Sequence, residues 1–187
     1  MKTKINRRLN IVVEVTGANG QPIFVHSMPV AYEVFESNYL LFTKTVSSLY
    51  SEGLAPGASS RIAMLHMKKQ AEEIGTDANP LFNEIWRLTN VLVPSERGWD
   101  TVPFEEAVKA GEIDEEDARE VKNILCFFTA ASWVHSPEEL QRTLYPILQR
   151  SGLQITSSDI TEFKNSLPMS KPVASSGEKA TASSLPL

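Results

Sequence analysis

The chain has 187 residues, 42% of them hydrophobic and 22% charged, with a formal net charge of −5. That length holds one domain with a real core plus an appendage, and the negative balance argues against general nucleic-acid binding, which needs a cationic surface against phosphate. No apolar run reaches the ~18–20 residues that span a bilayer, no secretory signal follows the basic start, and the single cysteine, Cys126, can form neither an intramolecular disulfide nor a multi-thiolate metal site; a reducing cytoplasm is the expected compartment.

Lys2, Lys4, Arg7 and Arg8 make a basic arm, which could meet RNA or an acidic partner but more often serves as a solubilising flank. Leu9 to Val15 (LNIVVEV) is short and β-branched, hence a strand. Gly17-Ala18-Asn19-Gly20 signals a turn and Ile23 to His26 a second strand, so a hairpin is expected over about residues 9–26. Ser27-Met28-Pro29 then hands the chain to Tyr32–Tyr50, where Phe35, Tyr39, Phe42, Val46 and Leu49 recur at helical spacing, with Val34 and Leu41 widening the stripe. A helix this aromatic needs cover, and the remaining helices are expected to pack around it.

Gly53 and Pro56-Gly57 stop that helix. A second is expected over Arg61–Ile74, where Met64, Met67, Ala71 and Ile74 share a stripe; the methionines suit core filling or an adaptable surface. Asn79-Pro80 opens a third helix, from Leu81 to about Leu92, followed by a loop in which Trp99 folds back onto apolar surface. Pro103 starts a small helix ended by Gly111, and Asp114 caps a long one from Glu115 to about His135 whose acidic first turn complements the helix dipole. Ala118, Val121, Leu125 and Phe128 place this helix centrally, beside Tyr32–Tyr50. Ser136 and Glu139 offer a capping box for a helix that Pro146 should kink and Gly152 should end. A last short helix runs from Ser158-Asp159 through Phe163 and stops at Pro168. Beyond Met169 only Ser, Ala, Pro, Gly and Lys dominate, the composition of a disordered tail.

The expected fold is therefore mainly α (α+β): an N-terminal β-hairpin, then a bundle of amphipathic helices over about residues 30–166, within a single globular domain 1–167, and a disordered low-complexity tail over 168–187. Chemistry is harder to find. His26, His66 and His135 have no companions at metal-ligand spacing. The glycines form no phosphate loop, no Gly-x-Ser-x-Gly elbow occurs, and the acidic run from Glu105 to Glu120 reads as cap charges and a solvated face. No residue is assigned as catalytic, cofactor-binding or metal-ligating, no cofactor is expected, and the chain does not read as an enzyme.

Several stretches together resemble the tail assembly chaperones of long-tailed (siphovirus-type) bacteriophages. They are LNIVVEVTGANGQPIFVHSMPV, VFESNYLLFTKTVSSLYSEGL, EIWRLTNVLVP, GWDTVPFEEAVKAGEIDEEDAREV, FFTAAS and QITSSDITEFKNSLP, covering most of the chain. The resemblance implies a late, non-virion helper in the host cell cytoplasm that binds the tape measure protein and helps tail tube subunits assemble around it. Its partners would be the phage tape measure protein and the tail tube protein, and it could self-associate; neither nucleic acid nor a membrane is implied. The family often makes a second, longer product by ribosomal frameshifting, and the compositional break after Leu167 would permit that here. It brings no catalytic residues. The alternative is a structural virion protein of the tail or head-tail connector, which would copurify with mature particles.

Overall fold

A computed structural model describes residues 9–53, 56–96, 98–136, 138–140 and 153–168. The basic arm, the kink at Pro146 and the tail beyond Pro168 lie outside these residues. The described chain runs β1 (Asn10–Thr16), β2 (Pro22–Ser27), α1 (Tyr32–Ser51), α2 (Pro56–Glu73), α3 (Asn79–Arg87), β3 (Thr89–Ser95), β4 (Gly98–Pro103), α4 (Phe104–Lys109), α5 (Glu115–Val134), β5 (Leu153–Thr156) and α6 (Ile160–Ser166). The five strands form one antiparallel sheet of order β4-β3-β2-β1-β5.

This corrects the expectation of a mainly helical bundle carrying a terminal hairpin. The fold is α+β, and the β1–β2 hairpin is the inner part of a sheet that later strands extend on both sides. Its turn is built as the sequence suggests: Gly20 takes φ +74, and a Cβ on Gly17 would lie 3.0 Å from the Ile23 side chain. Hairpin register sets Val12 opposite His26 and Val13 opposite Val25. Alternate residues therefore face opposite sides of the sheet.

Ile11, Val13, Ile23, Val25, Val91 and Leu153 turn to one side and join the main core with the helices. There α5 lies against β1, and α1 and α2 pack on α5 and on each other. Cys126, Phe127 and Phe128 are consecutive and all buried on α5. Asn123 fastens α5 to α2, its side-chain carbonyl accepting the Met64 N–H at 3.0 Å while its amide donates to Arg119 O. The other side of the sheet carries Val12, Leu92 and Trp99, covered by Phe163 of α6 with Phe24, Ile160 and Leu167 around it.

Four further expectations change. The helix over Leu81–Leu92 ends at Arg87, and Thr89–Ser95 is β3; the loop holding Trp99 is β4; and Leu153–Thr156, left without an element, is the edge strand β5. Pro56, read only as a stop, is the first residue of α2. The caps at Asp114 and Ser136 are as the sequence indicates, and α6 gains a capping box that its start at Asp159 did not announce. Asp114 accepts from Glu116 N and Asp117 N at 2.9 and 2.8 Å, Ser136 and Glu139 exchange side chain-to-backbone bonds, and Asp159 with Glu162 forms a full capping box on α6.

Candidate docking surface

α1 buries Leu41, Phe42, Thr45, Val46 and Leu49. Its inner arc keeps Phe42, Val46 and Leu49 of the expected stripe but is turned by about 50°, so that Leu41 and Thr45 enter it and Tyr39 is left out. Tyr32 and Tyr39 are each 58% exposed and Leu40 43%. At 100° per residue, Tyr32, Tyr39, Thr43 and Tyr50 fall within about 40° of one another on the helix surface, with Leu40 beside them. Four of the seven exposed large hydrophobic residues described belong to this single helix; the others are Met28, Leu65 and Val134. Single exposed apolar side chains need no explanation, but a row along one helix face is the usual mark of an interaction surface.

The N-terminal end of the row, Tyr32, meets a stacked aromatic cluster. Phe35 stacks on Trp133 of α5 with centroids 4.5 Å apart and planes 7° from parallel, and on Phe42 at 6.0 Å. Tyr32 closes the cluster against both Phe35 and Trp133 at 6.0 Å. The Trp133 indole N–H is shielded from solvent and has no acceptor among the described residues. At the other end of α1, Tyr50 OH lies 3.3 Å from His135 Nε2, and burial pushes the Tyr50 hydroxyl pKa above its ordinary value. Rings held this way lose little freedom when a partner covers them. Glu33 and Glu36 are exposed on the N-terminal half of the helix and Lys44 farther along.

The residues that carry chemistry are dispersed. His26 lies under α6, His66 bridges Ser48 of α1 and Glu52 at its C-terminal cap, and His135 sits between Tyr50 and Glu139. The acidic run is used structurally: Asp114 caps α5, Glu105 pairs with Lys122 at 2.8 Å, and Glu120 pairs with Arg61 at 3.4 Å. Burial, then the neighbouring Asp114, Glu120 and Glu116, raise the Asp117 carboxyl above its ordinary value. Burial drives the Cys126 thiol pKa far above its ordinary range, the environment of a structural rather than a catalytic cysteine. Met67 is buried and Met64 packs partly against the core, so both fill space in α2. A depression of about 250 Å³ between the end of α2 and the start of α3 is lined by Lys68, Glu72, Thr76, Asp77 and Asn79, too polar for an apolar ligand. Among the described residues, no group of three or more His, Cys, Asp or Glu could hold a metal ion, and no helix is long and apolar enough to cross a membrane.

Compared with protein-family models, with curated proteins and with solved structures, the chain finds no match.

Proposed function

We propose that this chain is a tail assembly chaperone of a long-tailed bacteriophage, holding an apolar stretch of the tape measure protein in solution while tail tube subunits assemble around it. The exposed row Tyr32, Tyr39, Leu40 and Tyr50 on α1 is the observation that carries the reading. A tape measure protein is long and helical, and an isolated amphipathic helix exposes an apolar stripe that aggregates unless something covers it. A helix-in-groove or helix-on-helix contact supplies that cover through anchors at about one-turn spacing. Tyrosines suit the task, because each offers ring area together with a hydroxyl that tolerates water when the partner is absent.

Coexpression with a tape measure fragment tests the reading. The fragment should move from the pellet to the supernatant when the chain is present, and Tyr39→Glu should return it to the pellet while the chain itself keeps its melting temperature. The reading fails if the fragment stays insoluble with the unaltered chain. Many copies of the chain in purified particles would favour a structural protein of the tail or connector instead.

A further inference from the structure

We propose that residues 157–168 are an acid-released latch over the second face of the sheet, with His26 as the group that takes up the proton. The latch is short: α6 has seven residues and one buried side chain, Phe163. Three side chains of the sheet bind its backbone from below. Asn10 Nδ2 donates to Ser158 O at 2.7 Å, His26 Nε2 meets the same carbonyl at 3.1 Å, and Trp99 Nε1 donates to Pro168 O at 2.8 Å. The strap is thus pinned at both ends, and beneath it lie Val12, Phe24, Leu92 and Trp99. A carbonyl only accepts, so the ring nitrogen facing Ser158 O must carry the hydrogen, which fixes the Nε2–H tautomer of neutral His26.

His26 is 1% exposed, between β1 and β3 and under the Phe163 ring at 6.1 Å. Around it β1 presents Asn10, Val12 and Glu14, β3 presents Asn90, β5 presents Gln154 and Thr156, and α6 with its cap carries Asp159, Glu162 and Lys164. Burial lowers the ring's pKa; the hydrogen bond to Ser158 and the charge of Asp159 oppose this but do not overcome it. Protonation would leave the Nε2–H bond in place, but would put a charge where water cannot reach it. With the strap lifted, the same ring meets water and regains its ordinary affinity for a proton. A group whose pKa is lower in the closed state favours closure fully above the open-state value of about 6.5. That advantage is lost as pH falls from there toward the closed-state value. Acid therefore opens the latch, while α5 and the helical layer, on the far side of the sheet, do not sense the ring.

Hydrogen–deuterium exchange on the full chain at pH 7.5 and 5.5, corrected for the intrinsic pH dependence of amide exchange, tests this. Amides of residues 160–167 should lose protection at pH 5.5, by at most about tenfold per pH unit, while α5 peptides hold theirs. His26→Gln retains a donor for Ser158 O but takes no proton, so its strap should be equally protected at both pH values. Unchanged strap protection in the natural chain, or the same loss in His26→Gln, overturns the proposal. Should His26→Gln fail to fold, the NMR titration of the His26 ring in the natural chain decides. A midpoint coinciding with strap opening supports the latch, and a midpoint at or above that of free histidine overturns it.

Discussion

Phe42 and Tyr39 sit three residues apart on one helix and have opposite fates, so substituting each by alanine separates core from surface. Phe42 is fully buried, stacked on Phe35, in a helix held between α2 and α5. Removing its ring forfeits about 2–3 kcal/mol of transfer free energy. A void of about 100 Å³, at about 24 cal/mol per Å³, would add about 2 kcal/mol if nothing collapsed into it. Partial collapse of the neighbouring side chains into the void lowers this sum, so Phe42→Ala should cost about 3–5 kcal/mol. That is a large part of the ~5–15 kcal/mol available to a domain of this kind. Tyr39→Ala removes a ring that already faces water and should change stability by no more than about 0.5 kcal/mol. Urea unfolding followed by far-UV circular dichroism measures both. Equal losses for the two, or a loss below about 1 kcal/mol for Phe42→Ala, would refute the assignment of the inner arc of α1.

Asp114→Ala removes the acceptor for two N–H groups at the start of α5 and should cost about 1 kcal/mol by the same unfolding assay. Asp159→Ala breaks both halves of the capping box on α6; exchange of residues 160–167 should quicken at pH 7.5, with α5 unaffected. Cys126 should resist a thiol reagent in the native chain and react fully in denaturant, since burial keeps the thiolate from forming; rapid native reaction would mean that α5 opens readily.

How far the sequence carries differs between the two halves of the fold. Helix starts were legible where caps and periodicity agree: Asp114 ahead of an acidic turn for α5, and Ser158-Asp159 ahead of α6. β3 was hidden because Leu81, Ile85, Leu88 and Leu92 keep helical spacing across a boundary that Leu88 makes without a glycine or proline. In the structure Leu92 faces α6 while Val91 and Val93 face the helical layer, and a strand buried on both sides shows no alternation to read. β5, at four residues, is too short to display a period. The docking row was misread for another reason. An exposed tyrosine and a buried one are the same letter, and Tyr39 fits a stripe that is correct in period and off in phase by about 50°. Only the positions of α2 and α5 fix that phase.

The two surfaces proposed here lie on opposite sides of the sheet, and this makes their independence testable. α1 packs on α2 and α5, and α5 is the helix that meets β1, whereas the latch lies against the face of Val12, Leu92 and Trp99. Between Tyr39 and His26 there is thus a helical layer and the sheet itself, with layers packed about 10 Å apart. Substitutions separated this far, with no shared partner, add to within about 0.5 kcal/mol. Tyr39→Glu should therefore leave the pH response of residues 160–167 intact, and His26→Gln should solubilise a tape measure fragment as well as the natural chain does. Coupling between them would require the strap to reach α1 through the core, by way of the sheet and of α5, which packs against β1 on one side and α1 on the other. If His26→Gln abolished solubilisation at pH 7.5 while its strap stayed protected, the docking surface would have to be moved from α1 to the latch side of the sheet.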